Sequence, residues 1–351
     1  MKGRLTYKFL LVALLVLALP FVARAGEAQE EEFVPKEMVL EHLADSYDWH
    51  ITTVKGKHVS IPLPVIVKSS TGWHVFLSDK ITEEGSEYEG LYIAREGKFK
   101  DKIVEEIDGQ QRRPLDISLT KTACGILIVC VLMLVLFLSA ARAYKGRGEV
   151  DYCPKGLAGL LEWLIDSLLD SVIKPCVGEN YLKFSPYLLT AFFFIFISNL
   201  LGLVPFFPGG ANITGNIAVT LVLAVATFLA VNLFGTKEYY KEIFWPDVPI
   251  FLKAIPLMPV IEFIGIFTKP FALMMRLFAN IMAGHSIILS ISCIIFATAH
   301  LGAAVNGSMT ALSVFFMVFM NCLELLVAFL QAYVFTMLSS VFIGLAQVKH
   351  E

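Results

Sequence analysis

The chain has 351 residues, 56% of them hydrophobic and 17% charged, with a mean hydropathy of +0.69. A soluble globular domain carries roughly 45–50% apolar residues, so the excess has to face lipid or other membrane helices. The formal net charge of −3 hides an uneven distribution, with nearly all charges before Asp116 or in short loops; no basic stripe with interleaved aromatics speaks for nucleic-acid binding.

Residues 1–25, MKGRLTYKFLLVALLVLALPFVARA, have the layout of a cleavable signal peptide: a basic start (Lys2, Arg4, Lys8), a short apolar core and Ala23-Arg24-Ala25 before Gly26. The alternative is an uncleaved anchor, against which the shortness of the core argues. Either way the following segment, residues 26–115, is exported; it is polar and mixed in charge. EEFVPKEMVLEHLADSYDW begins with acidic residues and then shows helical spacing. HVSIPLPVIVKS, GWHVFLS and EGLYIARE follow, short runs rich in Val, Ile and aromatics, and they predict a small β-rich element that is either a partner surface or a spacer. All six cysteines lie beyond Asp116, so the exported segment has no disulfide framework. No CxxC pair or histidine cluster points to a metal, and no cofactor is expected.

Residues 116–351 read as a membrane domain with spans near 118–143, 186–206, 216–236, 250–298 and 309–347. The first, Thr122 to Ala141, supplies the roughly 20 apolar residues that a spanning helix needs, and Arg142, Lys145 and Arg147 after it mark a cytoplasmic flank. GLLEWLIDSLLDSVIKP sets Leu160, Leu161, Leu164, Leu168 and Ile173 near one face and Glu162, Asp166 and Asp170 largely on the other. That pattern predicts an amphipathic helix lying at an interface or against a partner. PFFPGGANITGN separates the second and third spans, with Asn212 or Thr214 expected to cap the third. TKEYYKEIFWPDVP is a charged loop with lysines, hence cytoplasmic. The last two segments each exceed one perpendicular span, which calls for strong tilt. Five passes from an exported N-terminus put both basic loops and the tail QVKHE in the cytoplasm. The expected fold class is an all-α polytopic membrane protein with an interfacial amphipathic helix and a small exported N-terminal segment.

At 100° per residue, Glu262, Lys269, Arg276 and Asn280 share a band of roughly 60°, bordered by the small residues Ala272, Ala279 and Ala283. His285 falls on the opposite face. In the last segment Asn321, Glu324 and Gln331 share a face, with Ala328 between them. An arginine at the bilayer centre costs at least about 2.5–3.5 kcal/mol, and its pKa above about 12 blocks escape by deprotonation. Intramembrane ionisable residues usually face a wet cavity or bundle interior and mark ion routes. Glu324 and His285 are the groups able to titrate along such a route. Arg276 suits two other tasks: drawing a carboxyl toward its ionised form and blocking leakage past itself. Blander readings stand beside these. Lys269 snorkels or pairs with Glu262; Asn280, Asn321 and Gln331 join helices; a lone His285 is a satisfied structural histidine.

FALMMRLFANIMAGHSI resembles the signature of subunit a of the F-type ATP synthases, with Arg276, Leu277, Phe278, Ala279, Asn280, Ala283, Gly284 and His285 meeting it in order. LELLVAFLQAYVFTMLSSVF resembles that family's final helix, including Gln331-Ala332-Tyr333, and SNLLGLVPFF with ANITGNIAVTL resembles its earlier spans. The likeness covers about residues 118–347; the exported extension exceeds the family's usual leader. The resemblance implies a proton-channel subunit, not itself catalytic, in the cell inner membrane. Its partners would be a rotating ring of subunit c, the peripheral-stalk subunit b and the remaining synthase subunits. It implies two half-channels that meet near Arg276, with His285, Glu324 and Asn321 on the exported side and Glu262 and Lys269 toward the cytoplasm. The translocated ion would be H⁺, with Na⁺ left open. A secondary transporter is the alternative, but no internal repeat is evident. An intramembrane hydrolase would need HExxH, GxSxG or paired aspartates, none of which occurs in the membrane segments.

Overall fold

A computed structural model of the chain describes residues 44–54, 57–82, 86–95, 97–107, 110–144, 156–204, 209–244, 257–299 and 302–347. The signal-peptide segment, the stretch with helical spacing up to His42 and Leu43, most of the two basic loops and the tail after Gln347 lie outside the described residues.

The first described unit is built from strands. β1 (Asp48–Val54) and β2 (Lys57–Pro62) form an antiparallel hairpin. β3 (Pro64–Ser69), β4 (Gly72–Leu77), β5 (Leu91–Ala94), β6 (Lys102–Ile107), β7 (Gln110–Arg112) and β8 (Leu115–Asp116) then form two three-stranded antiparallel sheets, ordered β4-β3-β8 and β5-β6-β7. In β3 the period-2 rule sends Val65 and Val67 inward, where they meet Tyr47, Phe76, Leu91 and Ile103. The Tyr47 hydroxyl donates to Asp116 at 2.5 Å, and burial together with that carboxylate pushes its pKa up, so the donor keeps its proton. Asp48 and Trp49, at the end of the segment read as helical, are strand residues: β1 finds a partner in β2, and cross-strand pairing outweighs a weak local helical period.

The rest is helical. α1 (Lys121–Tyr144) is about 36 Å long at 1.5 Å per residue, enough to cross a hydrocarbon core of about 30 Å. α2 (Leu157–Leu168) buries Leu161, Leu164 and Leu168 and leaves Leu160 and Trp163 exposed, so the amphipathic stripe expected from sequence is one residue narrower than drawn. A π-turn (Leu169–Ile173) and a helical turn (Lys174–Val177) continue it to Gly178, whose φ of 76° breaks the rod. α3 (Tyr181–Leu203), α4 (Ile217–Leu233), the short α5 (Lys237–Phe244), α6 (Leu257–Ala297) and α7 (Ala303–Gln347) complete the order. Among the described residues, four helical runs are long and apolar enough to cross a membrane, and α4 is a shorter apolar helix. The chain is a polytopic, predominantly helical membrane protein. At 41 and 45 residues, α6 and α7 far exceed a perpendicular crossing.

The cap of α4 differs from expectation. Asn216 accepts from the Ala218 amide at 3.0 Å; Thr214 instead donates to Asn199, and Asn212 accepts from the Gly215 amide within its own loop. The run Phe192-Phe193 in α3 joins α1 to α7: Phe137 meets Phe193 edge-on at 4.9 Å, and Phe329 sits edge-on to both Phe192 and Phe196. Where helices lack a hydrophobic driving force between them, glycine permits close approach. A Cβ at Gly125 would lie 3.0 Å from that of Ala211, so the loop between α3 and α4 rests against α1. Trp49, only 2% exposed, belongs to the same apolar cluster as Val129, Ala211 and Ile213, which joins the strand unit to this end of the helices.

The tightest crossing lies at the other end, where a Cβ on Gly344 of α7 would fall 1.9 Å from the Cys176 carbonyl oxygen. Because the obstacle is backbone, Gly344→Ala is expected to destabilise the protein by about 1–3 kcal/mol, seen as a lowered Tm of the purified chain. An unchanged melting curve would mean that α7 does not press on Cys176.

Candidate functional site

α6 and α7 form a long antiparallel hairpin whose register is marked by side chains. His285 lies beside Glu324, the Ser292 hydroxyl donates to the Met317 sulfur at 3.4 Å, and the Thr298 hydroxyl donates to Asn306 at 3.3 Å. As one number rises the other falls, as antiparallel packing requires. Continued the other way, this register brings Arg276 to the axial level of residues 331–333 on α7.

α6 has two unlike faces. Leu273, Met274, Leu277 and Ile281 are buried against the rest of the chain. Arg276 and Asn280, with Ala272, Ala279 and Ala283, lie on the side that this chain leaves uncovered, as does Lys269. The stripe expected from helical geometry therefore exists, and its slim border of alanines is exposed with it. No carboxylate comes within ion-pair distance of Arg276 among the described residues. Glu262 is half-buried, and no ion pair joins it to Lys269, which lies about 10 Å away along the helix. Lys269 instead lines a small crevice with Thr227, Asn232, Tyr239 and Pro270. Burial, then neighbouring Tyr240 and Glu262, raise the Tyr239 hydroxyl pKa, so Tyr239 stays a neutral donor beside that crevice.

His285 turns to the other side and meets α7. Its Nδ1 lies 3.0 Å from Glu324 Oε1, with side-chain exposures of 17% and 5%. The contact lies off the hydrogen-bonding direction, and Oε1 has no hydrogen-bond partner among the described residues. A buried acceptor left open in this way is an energetic cost unless a proton or an ion pair meets it. Two glycines border the pair. A Cβ on Gly284 would lie 3.1 Å from Glu324 Oε1, and one on Gly202 of α3 would lie 3.5 Å from His285 Nε2. A methyl group at Gly284 would thus crowd the carboxyl, whereas one at Gly202 would only touch the imidazole at ordinary contact distance.

Gln331 is buried on the same side of α7 as Glu324 and Ala328. Asn321 departs from them: it is exposed, and its amide donates to the Met317 carbonyl of its own helix at 2.8 Å. Helical arithmetic put all three on one face, but α7 is covered on one side only, and Asn321 falls past the edge of that cover.

Several polar residues were not singled out from sequence. Asn199 of α3, 3% exposed, donates to the Ala328 carbonyl at 3.2 Å and accepts from Thr214 at 2.6 Å, tying α3, α7 and the α3–α4 loop together. Thr227 of α4 lies 2.8 Å from the Tyr187 hydroxyl and 3.2 Å from Ser339. The signal was present: Ser198-Asn199 and Tyr187 interrupt an otherwise apolar run, as amides and hydroxyls that bridge membrane helices do.

The sequence that forms this site has relatives. Residues 124–344, more than half of the chain, match the family described as ATP synthase A chain. Residues 38–117 match a separate family described as a domain of unknown function (DUF8433). ATP synthase subunit a 2 of Chlorobaculum tepidum is 46% identical over 66% of this chain and 64% of its own length. ATP synthase subunit a of Chloroherpeton thalassium is 43% identical over 67% of this chain and 68% of its own, and that of Anaeromyxobacter dehalogenans is 40% identical over 67% and 60%. The chain thus spans about two thirds of the length of the relatives it matches. The family match covers α3, α4 and all but the last three residues of the α6–α7 hairpin that carries Arg276, His285 and Glu324, and on that ground the chain belongs to the ATP synthase A chain family.

Proposed function

We propose that this chain is the proton-translocating subunit a of an F-type ATP synthase in a cell inner membrane, a channel component that performs no catalysis of its own. The observation that carries this reading is the division of labour on α6: a permanent charge, Arg276, on a face that its own chain leaves bare, and a titratable pair, His285 and Glu324, enclosed behind it. In this reading residues 1–25 are a signal peptide, 26–115 an exported unit and 116–351 the membrane domain, with the C-terminus cytoplasmic. The packing of Trp49 with Ala211 and Ile213 supports it, because five passes put the α3–α4 loop on the exported side too.

The uncovered face of α6 takes the ring of subunit c, whose membrane carboxyls pass Arg276 in turn, and subunit b holds the chain against rotation. A proton enters from the exported side along His285 and Glu324, with Asn321 nearer the ring and Gln331 below. It neutralises a ring carboxylate, which then turns into lipid without the penalty of a buried charge. The carboxyl returns to the cytoplasmic-side path, assigned to Glu262, Lys269 and the crevice at Tyr239, and releases its proton there. Arg276 favours the ionised carboxylate and, with no proton to give, separates the paths; Asn280, one turn on, supplies an amide on the same face. Each proton falling through 100 mV releases about 2.3 kcal/mol.

Two variants test this in inverted vesicles containing the assembled complex. Arg276→Ala and Arg276→Lys should both abolish ATP-driven proton pumping while assembly persists, and the alanine form should leak protons passively. Pumping at parental rates in both would remove Arg276 from the mechanism. Gly284→Ala presses a methyl group on the movable end of Glu324, so the complex should still assemble while proton-driven ATP synthesis falls about tenfold, equivalent to about 1.4 kcal/mol on the barrier. Unaltered synthesis would separate the Glu324 carboxyl from the proton route.

A further inference from the structure

The β4-β3-β8 sheet has one face turned to its own core and another turned outward. The outward face is apolar: Trp73, Val75 and Leu77 of β4 stand beside Ile66 of β3, with Leu115 and Ile117 on the far edge. Val75 is 69% exposed, Trp73, Leu115 and Ile117 are each 58% exposed, and Leu77 is 47% exposed. Among the outward-facing paired positions of these strands the charged side chain is Lys68, whose Nζ lies 5.8 Å from the centre of the Trp73 ring; Asp116 pairs with buried Val67 and turns to Tyr47 on the core side. A water-facing domain rarely shows so continuous an apolar surface unless something covers it.

What adjoins this face is the start of a membrane helix. The Ile117 amide bonds to the Ile66 carbonyl and the Leu119 amide to that of Pro64, so the sheet pairing runs on to within two residues of α1. The first turn of α1 is bonded back to the unit, Lys121 through the Ser46 carbonyl at 2.9 Å and Thr122 through the Asp45 carboxylate at 3.0 Å. With no free linker, the sheet is held at the level where α1 leaves hydrocarbon. Aromatic side chains flanked by lysine suit that depth, the ring among glycerol and acyl ends and the ammonium on phosphate.

We propose that this face lies on the phospholipid headgroup layer on the side from which α1 enters the membrane. Trp73, Val75 and Leu77 are its apolar contacts and Lys68 its phosphate contact. The strand unit is then a membrane-resting platform as well as an appendage of the helices, a role that depends on α1 crossing the membrane and on nothing assigned to Arg276.

The test is photo-crosslinking of the complete complex in native membranes, with benzoylphenylalanine replacing Val75 or Leu115, and with the same group at exposed Lys98 as the control away from the sheet. Complexes are first checked for normal assembly and ATP hydrolysis, and two positions on the face guard against one that perturbs folding. Phospholipid adducts found by mass spectrometry at Val75 and Leu115, several-fold above Lys98, are the expected result. Adducts to another subunit or to a second copy would overturn the proposal in favour of a protein interface. Yields no different from those at Lys98 would overturn it by showing that the face meets water.

Discussion

A guanidinium cannot shed its proton, so where α6 crosses hydrocarbon Arg276 keeps its charge and its cost has to be met by what surrounds it. Among the described residues no carboxylate lies within ion-pair distance of it, and the residues around it, Ala272, Ala279, Ala283 and Asn280, are small or polar and uncovered. Such a face is poorly suited to lipid tails and well suited to close contact with a second helix surface that brings negative charge. In the proposed assembly the ring covers this face; left alone, a permanent charge and a groove of small residues face the membrane interior.

Behind that face the helices are held by a different economy from that of a soluble core. Apolar surface gives little preference for protein over lipid, so position depends on close backbone approach and on internal hydrogen bonds. Gly284 and Gly344 are sites where a methyl group would press on a neighbour, and Asn199 and Thr227 each bond across helices. Gly284 has a second effect, since it lets the imidazole and the carboxyl meet in a space with few other polar atoms.

Much of this was legible in the chain because charge in an apolar run is conspicuous and helical angles are regular. Arg276, Asn280 and Lys269 occupy the side that arithmetic assigned to them. The contact between His285 and Glu324 was not legible from geometry, since it depends on the register of two helices each over forty residues long, and periodicity along one helix says nothing of its offset from another. Asn321 was misjudged for a related reason: sharing a face with Glu324 does not ensure sharing its cover. The cap of α4 was expected at Asn212 or Thr214, but Asn216 caps it while Thr214 is engaged by Asn199, a contact between distant segments that the local pattern does not announce. Ser46 and Asp45 escaped notice because their role is to hold backbone amides of α1, which no side-chain pattern announces.

The strand unit and the buried pair are linked by a short run of contacts. Trp49 shares a cluster with Ala211 and Ile213; the Ala211 carbonyl borders the space at Gly202; and His285 borders that space from the other side. Asn199, three residues before Gly202, fixes the same loop through Thr214 and the same stretch of α7 through Ala328. The loop between α3 and α4 therefore shares an apolar cluster with an indole and is tied from within by an amide. A segment with three glycines and two asparagines between helices would otherwise be among the more mobile parts of a membrane protein. This tie confines the imidazole on one side while Glu324 confines it on the other. The spacing of the titratable pair thus reflects the strand unit, the loop and three helices together.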